Sequence, residues 1–196
     1  MSKTFSHLVI AGTSGVGKTY LEEELAKTGL FYPLPKVVDR PLRPGDNPQK
    51  IISISARDFS QRKMQGEFFF TLAYLGHHYG WLKTDLTFNH QPKTLAITLE
   101  SLASFLEQNS DFLPVLLEIK PNHFKLLEKR MKKRGEPPEK IVERLALAQK
   151  EYLKMTFYRK IVQHFQGLIF EITSDRNIPE EIIPQILATF HFNSTS

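Results

Sequence analysis

The chain has 196 residues, 41% of them apolar, enough for one domain of ordinary size with a real core. It contains no cysteine, which excludes disulfides and thiolate metal sites, and its formal charge of +5 leans toward anionic partners such as phosphates or nucleic acid. The first apolar run, Leu8 to Ala11, is too short for a signal-peptide core or a membrane span, so a cytoplasmic protein that does not enter a membrane is expected.

The first predicted element is a strand over "HLVIAG". It runs into Gly12-x-x-x-x-Gly17-Lys18-Thr19, the pattern of a loop that cradles the phosphates of a nucleoside triphosphate, and then into a helix over Gly17 to Lys27 that ends at Gly29. Glycines let backbone N–H groups converge on phosphate oxygens with no side chain in the way, and the helix aims its positive end at the same place. Gly12, Thr13, Ser14, Gly15, Val16, Gly17, Lys18 and Thr19 are therefore the candidate ATP-binding residues. Lys18 would reach the terminal phosphates and Thr19 would offer its hydroxyl to Mg²⁺.

From Pro33 to Pro92 the pattern changes to short strands and turns: "PGDNP" as a turn, "IISIS" alternating, and "GEFFFTLAYLGHHYGWLK" with glycines as punctuation. Within it "SARDFSQRKMQG" predicts a short helix capped by Ser55, with Asp58 at its third position. About 60 residues is small for an independent unit, so this stretch is expected to be an insertion built on a larger sheet. His77 and His78 are adjacent in a strand and so should point to opposite faces, with at most one of them near a ligand. The cluster "EFFFTLAYL" reads as core of the insertion rather than a stacking platform.

Further strands are expected in "TLAITLE", "FLPVLLEIK" and "GLIFEIT". Their near-continuous apolar character suits a parallel sheet covered by helices on both faces, an α/β fold. Glu100, closing "TLAITLE", is a candidate carboxylate for the metal, or else a glutamate at the start of the helix "SLASFL". A helix over Glu139 to Leu153 places Ile141, Leu145, Ala148 and Tyr152 at helical spacing behind Pro138, and the last helix runs from about Pro179 to Phe190 with Pro184 as a candidate kink. The basic run "KLLEKRMKKRG" lacks interleaved aromatics, which argues against nucleic acid and leaves a solvated face or a phosphate contact.

At "DRPLRPGD" the chain resembles the guanylate kinase family, and "RDF...GEFFF", "GHHYG", "EKRMKKRG" and "IVERLALAQKEY" follow in that family's order. The resemblance covers about His7 to Leu187 and implies an α/β P-loop kinase fold: a parallel sheet flanked by helices, with a small mixed substrate-binding insertion and a helical lid. It implies one domain over 1–196, with its core in 5–32 and 92–190, the acceptor-binding insertion at about 33–91 and the lid at about 130–145. The implied reaction moves the γ-phosphate of ATP, with Mg²⁺, onto a phosphorylated small molecule. By the same resemblance Arg40, Arg43 and Tyr79 hold the acceptor phosphate, while Arg134 and Arg144, with Lys18, act on the transferring group. Arginine's planar fork suits phosphate oxygens, and phosphoryl transfer between two anions demands charge neutralisation and alignment more than acid–base chemistry.

The departures from the family lie where it reads guanine. Those positions hold Phe70, Trp81, Ile51 and Thr98, and Lys36 stands where the family prefers a small hydroxyl residue. Losing polar partners at a site built to hydrogen-bond its substrate removes discrimination of roughly 10⁴ to 10⁵. The phosphate-handling half is kept and the base-reading half is not, a combination that resembles the ribose bisphosphate phosphokinase branch. Phe70 and Trp81 are then candidate contacts to a flat or apolar part of an acceptor, and the acceptor stays open between a GMP-like nucleotide and a ribose phosphate. The alternative to a kinase is a nucleotide-binding module with a regulatory or protein-binding role and no turnover.

Overall fold

Unbroken burial along the central strands requires two covered faces, and the computed structural model, which describes residues 5–43 and 46–193, has them. In chain order the elements are β1 (His7–Gly12), α1 (Lys18–Lys27), β2 (Tyr32–Pro33), β3 (Lys36–Val38), β4 (Ile51–Ser53), α2 (Ala56–Met64), β5 (Phe68–Tyr74), β6 (His77–Leu82) and α3 (Lys83–Thr87). There follow β7 (Lys93–Ala96), α4 (Leu102–Gln108), β8 (Phe112–Glu118), α5 (Phe124–Lys133), α6 (Pro138–Leu153), α7 (Met155–His164), β9 (Leu168–Glu171) and α8 (Ile183–Asn193). The strand order β2-β7-β1-β8-β9 makes a five-stranded parallel sheet. Leu8, Ile10, Leu113, Val115 and Leu117 pack on one side against α1, α5, α6 and α8, while Val9, Ala11, Leu95, Ile97 and Leu116 pack on the other against α4 and α7. Covering both faces is why these strands read as continuous apolar runs.

A second, mixed sheet has the order β4-β3-β6-β5, with β3 parallel to β4 and antiparallel to β6. Its outer face carries α2, whose Phe59 stacks on Phe68 at 4.8 Å between ring centroids. The Ser55 hydroxyl accepts from the Asp58 N–H at 3.0 Å and donates to the Asp58 carboxylate at 2.8 Å, so the expected cap is in place. Pro44 and Gly45 of the expected "PGDNP" turn lie outside the described residues.

Three expectations need correction. The strand in "TLAITLE" ends at Ala96, so Thr98 and Glu100 stand in a turn ahead of α4 rather than on the strand. The last helix is not α-helical from about Pro179: it opens as a π-helical turn over Ile178–Ile182, in which the Ile183 N–H reaches the Ile178 carbonyl, and becomes α8 at Ile183, so Pro184, which has no N–H to donate, sits where the hydrogen-bond ladder changes. His77 and His78 both approach one carboxylate, their Nδ1 atoms lying 3.6 and 2.6 Å from Asp39, because Asp39 follows the end of β3 beside their strand.

Candidate functional site

The loop after β1 has the geometry its glycines require. Gly15 and Gly17 sit at φ of 84° and 114°, backbone that side chains disfavour. A Cβ on Gly12 would lie 2.3 Å from the Leu117 carbonyl oxygen, so β1 and β8 approach there only because no side chain intervenes. The Lys18 ammonium folds over the loop and donates to the Gly12 and Thr13 carbonyls at 2.6 and 3.1 Å. Burial lowers its pKa from 10.5 to about 8, against the opposing pull of Glu151. The Thr13 hydroxyl is fully buried with no hydrogen-bond partner, and Thr19 is exposed in the first turn of α1. A cradle free of side chains, an orphaned hydroxyl and a buried ammonium fit a polyphosphate, with Thr19 free to meet its Mg²⁺.

Helices α5 and α6 bring a cationic roof to this loop. Arg130 donates through Nη1 to the Val16 carbonyl at 2.6 Å and through Nε to Asp175 at 2.9 Å. Arg134 and Arg144 grip the two oxygens of one carboxylate, Glu136, at 2.7 and 3.1 Å. Arg134 lies over the loop: a Cβ on Gly15 would be 3.9 Å from its Nη2. From α6, Glu151 accepts the Ser14 N–H at 3.2 Å, and burial pushes its carboxyl up despite Lys18 and that N–H.

The second sheet closes the opposite side. Tyr74 on β5 faces Ser14 of the loop, which favours its ionised form, while burial raises its pKa. Arg40 is 6% exposed and pairs with Asp46 at 2.7 Å, while Tyr79 reaches the same guanidinium. Its Nε is buried without a partner. Asp46 also accepts the Arg43 N–H at 2.9 Å, so one carboxylate orders the main chain between the two arginines.

Of the residues expected from the sequence, the loop, Lys18, Arg134 and Arg144 converge, and Arg40, Arg43 and Tyr79 gather around Asp46 and each other. Phe70 and Trp81 do not form a contact surface. They are 7% and 1% exposed and belong to the core beside Phe105, Leu95 and Leu99, with Phe70 edge-on to Phe105 at 4.8 Å. Their bulk fills space between the two sheets, which corrects the expectation that they touch an acceptor. Glu100 is exposed, near enough to Glu151 to raise its pKa. Sequence reasoning missed Arg130, Glu136, Tyr74 and Glu151. Arg130 lay hidden in a basic run, and Glu151 had no signal beyond an ordinary helical glutamate.

Among the described residues no helix is long and apolar enough to cross a membrane, and no three of His, Cys, Asp and Glu cluster so as to hold a metal ion. No protein-family model matches the chain. The chain is 32% identical over 141 residues to a guanylate kinase of Trichormus variabilis, covering 70% of each. It is 28% identical over 151 residues to a guanylate kinase of Nostoc, covering 75% of each. Its fold superposes on the crystal structure of guanylate kinase from Anaplasma phagocytophilum with a TM-score of 0.69 at 15% identity, covering all of this chain and 90% of that one. The parallel sheet flanked by helices is thus the P-loop kinase fold, with a second mixed sheet attached.

Proposed function

Because the chain belongs to the guanylate kinase family, we propose that it is an ATP-dependent phosphotransferase that moves the γ-phosphate of ATP onto a phosphate-monoester acceptor. Gly12 to Thr19 hold the triphosphate, with Lys18 on its terminal phosphates. Bound at Thr19, with Glu100 near it, Mg²⁺ would neutralise phosphate charge. Arg40, Arg43 and Tyr79 hold the acceptor phosphate. One of its oxygens attacks the γ-phosphorus in line, the bond to the β–γ bridging oxygen breaks, and ADP leaves. Arg134 and Arg144 move from Glu136 onto the transferring group, whose charge they neutralise without any proton transfer. In this reading the second sheet is the acceptor-binding insertion and the α5–α6 hairpin the lid.

The observation that carries the proposal is the pairing of Arg134 and Arg144 on Glu136 beside the phosphate loop. A chain released from phosphoryl transfer has no physical reason to keep two arginines poised there in addition to Arg40 and Arg43. The burial of Phe70 and Trp81, where the family reads guanine, favours the second reading, a nucleotide-binding module without turnover. The deciding experiment is ATP consumption with Mg²⁺ against GMP, dGMP, the other nucleoside monophosphates and ribose 1,5-bisphosphate. Turnover with any of them supports the kinase; silence across the panel while ATP still binds leaves the binding module.

A further inference from the structure

The pairing of β3 with β6 ends where a side chain replaces the main chain. In an antiparallel ladder a hydrogen-bonded pair of opposed residues exchanges two backbone bonds. Asp39, one residue past β3, still donates its N–H to the His78 carbonyl at 3.3 Å, but the return bond from the His78 N–H, at 2.7 Å, ends on the Asp39 carboxylate. The second carboxylate oxygen meets His78 Nδ1 at 2.6 Å. One aspartate thus engages both the backbone and the ring of one histidine while its main chain leaves the sheet. The Asp39 side chain is 5% exposed; burial works against its charge, but the His78 ring and N–H hold the carboxyl below the usual range. The imidazole is held in turn by buried Phe59 of α2, on which it stacks at 5.5 Å between ring centroids.

The chain neighbours of this pair are two of the residues assigned above to the acceptor phosphate: Arg40 follows Asp39, and Tyr79 follows His78. Val38, just before Asp39, is the Cα partner of Tyr79, so Arg40 and Tyr79 leave one clamped corner of the second sheet. On one side of Arg40 the Ser53 hydroxyl of β4 donates to its carbonyl at 2.6 Å; on the other its guanidinium donates to the Pro41 carbonyl at 2.8 Å and to Asp46 at 2.7 Å. Those contacts fix the Arg40 segment against β4 and its own loop, and the Asp39–His78 pair ties it to β6, the strand that carries Tyr79. We propose that Asp39 and His78 are positioning residues for the acceptor-phosphate site, setting the separation of Arg40 and Tyr79 that two ligands of one phosphate require. This rests on the reading above that Arg40, Arg43 and Tyr79 hold that phosphate. A carboxylate in contact with the phosphate would repel it, whereas Asp39, engaged on His78, contributes placement alone.

The test follows the binding of inorganic phosphate by amide NMR shifts, with the phosphate loop saturated by Mg²⁺ and a non-hydrolysable ATP analogue so that phosphate is left the second site. Asp39→Ala, and His78→Phe, which keeps a ring to stack on Phe59, should each weaken phosphate binding at least about tenfold while affinity for the ATP analogue stays within about twofold. His78→Asn, whose side-chain amide offers a donor near the place of Nδ1, should retain most of the affinity, although it loses the ring stack. Melting curves check that each variant folds. Unchanged phosphate affinity in Asp39→Ala, equal losses for phosphate and the ATP analogue, or a loss in His78→Asn as deep as in His78→Phe would overturn the proposal. Arg40→Met separates it from the reading on which it rests. Phosphate that does not bind, or binds Arg40→Met equally well, removes the acceptor site itself; binding that needs Arg40 but not Asp39 removes the positioning role alone.

Discussion

Glu151 and Ser14 are 137 residues apart in sequence, yet the Glu151 carboxylate accepts the backbone N–H of Ser14 at 3.2 Å, inside the phosphate loop. A carboxylate there takes a donor that a phosphate oxygen would use, and its charge repels the incoming nucleotide. Glu151→Gln should therefore bind Mg²⁺-ATP about tenfold more tightly than the unaltered protein. Burial raises the Glu151 pKa, so the carboxyl protonates earlier than an ordinary glutamate as pH falls. The gap between the two proteins should narrow on acidification; calorimetry at two pH values reads both effects, and equal affinities at neutral pH would refute them.

Lys18 is the second titrating group at the loop. Burial holds its pKa near 8, below its ordinary 10.5, so in the free protein the ammonium is half-deprotonated near that pH. A bound triphosphate favours the charged form and pulls the pKa back up. Nucleotide binding near pH 8 should thus take up about half a proton, and affinity should decline as pH rises beyond it. Titrations in two buffers of different ionisation heat measure the uptake; none at all would place the lysine's titration elsewhere.

Arg134 is assigned to the transferring phosphoryl group rather than to ground-state binding. Arg134→Ala should lower kcat by roughly 10² to 10³ with a modest loss of ATP affinity. Steady-state kinetics and a binding titration on the same variant separate the two, and an unchanged turnover rate removes Arg134 from the lid.

Phe70 and Trp81 are packed between the sheets, so their substitutions should register as stability. Phe70→Ala and Trp81→Ala should each cost about 3–5 kcal/mol in chemical denaturation. If either variant keeps its stability and raises only the acceptor KM, the residue is a ligand contact after all.

Gly12 tests the loop itself. With φ at 157° and a Cβ position 2.3 Å from the Leu117 carbonyl, Gly12→Ala should destabilise the protein by about 1–3 kcal/mol as β1 and β8 move apart. A melting curve unchanged from the parent would mean that the strands separate there at no cost.

The phosphate loop, the four parallel strands called from apolar runs and the Ser55 cap were legible in the sequence because each is a local event. Four residues at fixed spacing mark the loop, an apolar run marks a strand buried on both faces, and a serine three residues before an acid caps a helix. The end of the strand at Ala96 was not legible, because Ile97 and Leu99 continue the apolar pattern, and the Ile97 N–H still bonds to the Ile10 carbonyl before the chain turns over Thr98 to Ser101 into α4. What only the tertiary structure decided are the long-range meetings: Glu151 on Ser14, Tyr74 on Ser14, and Arg134 with Arg144 on Glu136. The same holds for Phe70 and Trp81, whose aromatic character suits a ligand surface and a core equally. Which of these they serve depends on whether another element covers them, and α4, through Phe105, does. A side chain's type fixes what it can bind, but its partner is set by how helices and sheets pack, and that packing is a property of the whole chain.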